Sequence, residues 1–144
     1  MHAVVRWYYL SRRLYLKGIP LLPNLIWKFI RVFFACDVKF TADIGPNVGF
    51  FHNGLGVVIH KDAKIGEGSV LYQNVTIGGN GKSGDANGAP VIGKNVFIGA
   101  GAVILGPVTI GDGAKIGANS VVLKNVPAGA TAVGVPAKIV SNND

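Results

Sequence analysis

The chain has a single cysteine, Cys36, among 144 residues, so it can form no internal disulfide. No Cys/His cluster has the spacing of a zinc site, and a reducing compartment is the expectation. Acids are scarce: seven Asp/Glu stand against fourteen Lys/Arg, a formal net charge of +7. Charged residues make up only 15% of the chain while 49% is hydrophobic, the reverse of what a disordered segment needs. Long apolar runs are missing from the aromatic-rich beginning, where the longest uncharged stretch, Gly18 to Trp27, has ten residues. A membrane span needs about twenty. Arg6, Arg12 and Arg13 interrupt any signal-peptide core, so no cleaved leader is expected. Glycine is plentiful at 21 residues but does not recur every third position, which excludes collagen. The length suits one domain with a short appendage.

The charge is unevenly placed. Residues 1–40 hold seven Lys/Arg and one acid, Asp37, whereas residues 41–144 hold seven Lys and six acids. Nine of the thirteen aromatics also lie before residue 41. Residues 3–17 and 24–35 read as two amphipathic helices separated by GIPLLP, with Asn24 the expected N-cap of the second. Such helices are expected to cover the open end of the next domain or to pack between subunits, with their arginines in water. Peripheral contact of residues 1–35 with an anionic membrane surface is the weaker alternative. No nucleic-acid partner is expected, because no binding motif accompanies the charge.

A six-residue period carries the rest. An aliphatic residue recurs at Ile59, Ile65, Leu71 and Ile77, and again at Ile92, Ile98, Ile104, Ile110, Ile116 and Val122. This is the pattern of a parallel β-helix. Three hexads make one triangular coil of eighteen residues, with the first aliphatic pointing into a narrow prism and the fifth residue small for the same reason. The period breaks twice, by fifteen residues from Ile77 to Ile92 and by fifteen from Ile44 to Ile59. The first break is a glycine-rich excursion. The second, containing FFHNGLG, suggests a coil three residues short.

The stretch HNGLGVVIHKDAKIGEGSVLYQNVTIGGNGKSG, followed by IGAGAVILG and GVPAKIV in the same order and spacing, resembles the serine acetyltransferase branch of the hexapeptide-repeat acyltransferases. The resemblance covers about residues 36–140. It implies an all-β fold, a single-stranded left-handed parallel β-helix, with a short N-terminal α-helical cap. It also implies a homotrimer with acetyl-CoA, and no metal, bound between neighbouring prisms. The expected organisation is a cap over 1–35, an acetyltransferase domain over 36–140 with an excursion loop at 79–90, and a tail at 141–144.

Carried over by position, the resemblance makes His52 the catalytic histidine and Asp37 the aspartate that pairs with it. An acceptor hydroxyl has a pKa far above 7, so a neutral imidazole must take its proton as the oxygen attacks the thioester. A carboxylate orients the ring and stabilises the imidazolium. Asp43 is the reserve orienter, while His60, His2 and Cys36 read as a corner, a frayed end and packing. For the cofactor the resemblance points to Gly79, Gly99, Ala100 and Ala118 along the pantetheine, with Lys82, Lys115 and Lys138 for its phosphates.

Two departures bear on the acceptor. Phe51 stands where serine-specific members carry an aspartate, and Gly88 and Ala89 stand where they carry an Arg-His pair. A desolvated zwitterion needs charged partners. Phe50, Phe51 and Tyr72 are therefore read as a platform for a sugar ring, and the expected function is acetyl transfer to a saccharide in surface-polysaccharide biosynthesis. Serine O-acetylation in cysteine biosynthesis is the alternative, and a non-catalytic or zinc-binding β-helix a second one. The expected location is cytoplasmic, at or near the inner face of the membrane.

Overall fold

The structure, a computed structural model, describes residues 2–83 and 88–142. Positions 84–87 of the expected excursion and 143–144 of the expected tail lie outside the described residues.

Each hexad is too short to bury an aliphatic side chain alone, so the strands gain stability only by stacking. The first coil contains β1 (Asp37–Val38), β2 (Asp43–Ile44) and β3 (Gly49–Phe50). The second contains β4 (Val58–Ile59), β5 (Lys64–Ile65) and β6 (Val70–Leu71). The third contains β7 (Thr76–Gly78), β8 (Val91–Ile92) and β9 (Phe97–Ile98), and the fourth β10 (Val103–Leu105), β11 (Thr109–Ile110) and β12 (Lys115–Ile116). The last coil runs through β13 (Val121–Val122) and a bridge from Val126 to Ile110, and ends in the antiparallel hairpin of β14 (Ala130–Gly134) and β15 (Ala137–Asn142).

Three sheets result. Sheet I is β1-β4-β7-β10-β13, sheet II is β2-β5-β8-β11, and sheet III is β3-β6-β9-β12-β14-β15. Apart from the hairpin, the pairings are parallel and put like hexad positions side by side, as in Ile59 beside Ile77 and Ile77 beside Ile104. Every aliphatic of the expected series from Ile59 to Val122 is interior, none more than 4% exposed. Fifth positions are small and buried, as at Ala63, Ala102 and Ala114. The one at Ser69 satisfies its hydroxyl by donating to the Gly93 carbonyl and accepting from Val96 N–H.

The break between Ile44 and Ile59 differs from expectation. Phe50 follows Ile44 by six and is a regular interior residue, 1% exposed, paired in register with Leu71. The nine residues from Phe50 to Ile59 hold three more than a hexad, so the coil carries an insertion rather than a deletion. Its extra residues form a short turn, Phe51–Gly54.

The helices α1 (Ala3–Leu16) and α2 (Leu22–Phe34) close the first coil. α2 starts before the expected Asn24 because Pro23, whose fixed φ suits a first turn, lies inside the helix start; Leu21 is its N-cap. The end coil of a ladder presents backbone groups that no further coil can pair. Arg12 Nη1 donates to the carbonyls of Phe40, Thr41 and Ala42 at 3.1, 3.3 and 2.8 Å, and Nη2 pairs with Asp43 Oδ1 at 2.7 Å. The Tyr8 hydroxyl donates to the Ala42 carbonyl and accepts from Ile44 N–H, and the Tyr9 hydroxyl donates to the Gly45 carbonyl. Burial pushes the Tyr8 hydroxyl pKa up to about 12. Arg12 thus departs from the expected solvent-facing role. Asp43, the reserve orienter, serves the cap on sheet II.

Candidate active site

The inserted turn places His52 at the edge where sheet III passes into sheet I. His52, Asn53 and Gly54 have φ of 54°, 53° and 71°, three consecutive left-handed residues. Asparagine and glycine tolerate this region, and histidine is among the side chains found there, at a cost of order 1–3 kcal/mol. Gly54 suits the turn, since a Cβ there would crowd Cys36 Sγ at 3.0 Å and the Phe50 ring at 3.2 Å. The turn is braced on both sides. Asn53 Oδ1 accepts Ala3 N–H at 3.2 Å, Gly56 N–H donates to the Ala35 carbonyl at 2.8 Å, and Asn74 N–H donates to the Leu55 carbonyl at 2.8 Å. A rigid loop therefore holds an exposed imidazole whose ring makes no hydrogen bond or ion pair among the described residues.

Asp37 does not meet it. The Asp37 carboxylate accepts Trp27 Nε1–H at 2.9 Å and lies 3.6 Å from Arg31 Nε, both on α2. No hydrogen bond or ion pair joins Asp37 to His52 among the described residues. The cause is the cap: a tryptophan and an arginine from α2 reach the carboxylate on the outer side of β1. Cys36 beside it is buried, and its thiol is pushed up to about 12 by burial and then by the Asp37 charge, so it stays a packing thiol. His60 Nδ1 accepts Asp62 N–H at 3.2 Å in its own corner turn, and the Lys61 hydrogen bond holds the Asp62 carboxyl below the usual range. The His2 ring packs on Phe51 at 5.2 Å rather than fraying.

The expected cofactor positions divide between two edges. Gly99, Ala100 and Ala118 lie on the sheet III–I edge, on the corners that stack beyond His52. Asn119 N–H donates to the Ala100 carbonyl at 2.8 Å, and a Cβ on Gly99 would stand 2.7 Å from Ala118 N. Small side chains thus keep this edge low. Gly79 and Lys82 follow β7 on the sheet I–II edge, where an open depression of about 530 Å³ is lined by Asn80, Lys82, Leu105, Pro107, Leu123 and Lys124 among others. Lys115 stands on the outer face of sheet III beside Phe97, and Lys138 lies opposite Val133 in the terminal hairpin.

The expected sugar platform does not form. Phe50 is core, and Phe51 and Tyr72 lie face to face at 4.8 Å with 3° between their planes, each covering the other. Sequence reasoning also missed Asn53 and Gln73. The His-Asn-Gly run is turn composition and could have signalled the first. Gln73, whose Oε1 is buried without a hydrogen-bond partner among the described residues, had no signal, because its burial depends on the neighbouring coils.

A three-sided parallel β-helix with a histidine raised on a corner insert is the class that fold and site define. The family model "Bacterial transferase hexapeptide (six repeats)" matches residues 89–124. The serine acetyltransferase of Staphylococcus xylosus is 42% identical over 144 residues, covering 99% of this chain and 65% of that protein. The soybean serine acetyltransferase complexed with serine superposes with a TM-score of 0.88 at 41% identity, over 95% of this chain and 56% of that one. The Brucella abortus serine acetyltransferase in complex with coenzyme A gives 0.91 at 34% identity, over 97% and 55%. The chain belongs to the hexapeptide-repeat family, in its serine acetyltransferase-like branch. It spans roughly half to two thirds of the length of these relatives. Their serine acetyltransferase identity overturns the expected saccharide acceptor and polysaccharide pathway.

Proposed function

We propose that the chain is an acetyl-CoA-dependent serine O-acetyltransferase in which His52 is the general base. The observation that carries the reading is the exposed, unbonded imidazole held on a strained and braced turn, at the head of an edge kept low by Gly99, Ala100 and Ala118. The relatives crystallised with serine and with coenzyme A supply the substrate classes.

His52 takes the proton from the serine hydroxyl as that oxygen attacks the acetyl carbonyl of the thioester. The tetrahedral intermediate then expels the CoA thiolate, which recovers the proton from the imidazolium. The products are O-acetylserine and free CoA, with no acyl-enzyme. Asp37 is a positioning charge, fixed by Trp27 and Arg31, toward which the imidazolium turns once the acceptor is bound; catalytic contacts often tighten only in the substrate complex. The prism winds left-handed, as in the family.

Gly99, Ala100 and Ala118 lie on one edge, and Gly79 and Lys82 lie on another. A groove that uses both sets takes one from each of two copies, which makes the homotrimer the functional unit. Such an enzyme works in the cytoplasm, where acetyl-CoA is made.

Thiol release from acetyl-CoA with L-serine tests the reading. The chain should release CoA only when serine is present, and His52→Ala should lower kcat by about 10²–10⁴-fold while CoA affinity persists. Serine-dependent release that survives in His52→Ala removes the histidine from its role. No release with serine despite calorimetric CoA binding removes serine as the acceptor.

A further inference from the structure

An open depression of about 840 Å³ runs along α1, lined by Arg6, Leu10, Arg13 and Lys17 of the helix and by Ile44 of the first coil, among others. At roughly 100° per residue, α1 turns Val4, Val5, Tyr8 and Ser11 toward the coil and sends Arg6, Trp7, Leu10, Arg13 and Lys17 outward together. α2 behaves similarly. Only Pro23, Ile26 and Ile30 are buried, yet its apolar sector continues through Leu25, Val32 and Phe33, which are 59%, 78% and 72% exposed. Rings join the two helices into one surface, Trp7 to Phe29 at 4.9 Å and Phe29 to Phe33 at 4.5 Å.

The charge beside this surface is of one sign. Six cations and no acid precede Asp37. Arg12 and Arg31 are engaged with Asp43 and Asp37, while Arg6, Arg13, Lys17 and Lys28 make no ion pair among the described residues. An apolar stripe with a tryptophan, flanked by lysine and arginine, is the arrangement that lies in a lipid interface, its apolar face among the acyl chains and its cations among anionic headgroups. A nucleic acid would use the cations and leave the apolar centre idle. No helix among the described residues is long and apolar enough to cross a bilayer, so the contact is peripheral.

We infer that the outer face of α1 and α2 docks on an anionic lipid surface. Full-length protein is sedimented with vesicles of phosphatidylglycerol and phosphatidylcholine in equal parts, and with phosphatidylcholine alone. Binding should be confined to the anionic vesicles, should weaken as salt is raised, and should drop roughly five-fold for each of Arg13→Ala and Lys17→Ala. Val32→Ser with Phe33→Ser, both at exposed positions, should bring it to background with an unchanged melting temperature. Protein that stays in the supernatant with anionic vesicles at low salt overturns the inference, and so does binding that ignores these substitutions. Sedimentation velocity covers the rival occupant: self-association lost in the Val32/Phe33 variant, without vesicle binding, would assign the face to a second copy. Serine acetylation is read separately and decides nothing here.

Discussion

At the residue scale the site is defined as much by what surrounds His52 as by the ring itself. Phe51 precedes it and is stacked on Tyr72, while Gly88 and Ala89 close the excursion without a charge. Nothing in those three positions can pair with the carboxylate or ammonium of serine. If serine is the acceptor, as proposed, its recognition comes mainly from the hydroxyl at His52 and from uncharged donors and acceptors. This has a measurable consequence. Losing a desolvated, hydrogen-bonded charge pair costs about 2–5 kcal/mol, whereas replacing L-serine by L-serinamide should change kcat/KM here by less than about tenfold. Steady-state assays of the two acceptors at saturating acetyl-CoA check it; discrimination beyond a hundredfold would mean that a cation outside these positions grips the carboxylate.

At the scale of elements, the cap shows how a helix can finish a ladder. Arg12 is worth more than an exposed ion pair because its guanidinium meets the carbonyls of Phe40 and Thr41 and shares that of Ala42 with the Tyr8 hydroxyl. Arg12→Ala should destabilise the chain by about 2–4 kcal/mol, read by urea unfolding, since it leaves half-buried acceptors unmet. Arg12→Lys should recover less than half, because a point charge cannot serve that spread of acceptors. None of this was legible beforehand, since no local pattern reveals which carbonyls a coil leaves open. The hexads were legible, because the prism interior demands the same side-chain type every six residues. Phe50 obeyed that count and was still read as surface, its aromatic ring standing out from an aliphatic series. The partners of Asp37 were hidden for the same reason as those of Arg12: Trp27 and Arg31 meet the carboxylate only after α2 has packed on β1. His52 was legible through the family motif, and its left-handed backbone through the Asn-Gly that follows it.

At the scale of the whole molecule, the question is whether one chain can hold a complete site. His52 and the Gly99–Ala118 stack share the sheet III–I edge, whereas Lys82, Lys124 and the depression between them lie on the sheet I–II edge. The outer face of sheet I lies between these edges. If neighbouring prisms face unlike edges, each groove takes its histidine from one copy and its cations from the next, a heterologous contact that closes as a ring. Two defective variants should then repair each other. His52→Ala lacks the base, and Lys82→Glu with Lys124→Glu repels the phosphates of CoA; each alone should be nearly inactive. When the two are co-expressed and mixed trimers are purified through both tags, about one groove in three has an intact histidine and an intact cationic edge. Serine-dependent thiol release should return to that fraction of the wild-type rate. Grooves built within single chains would leave the mixture as inactive as its components, because every chain in it is defective on one edge or the other.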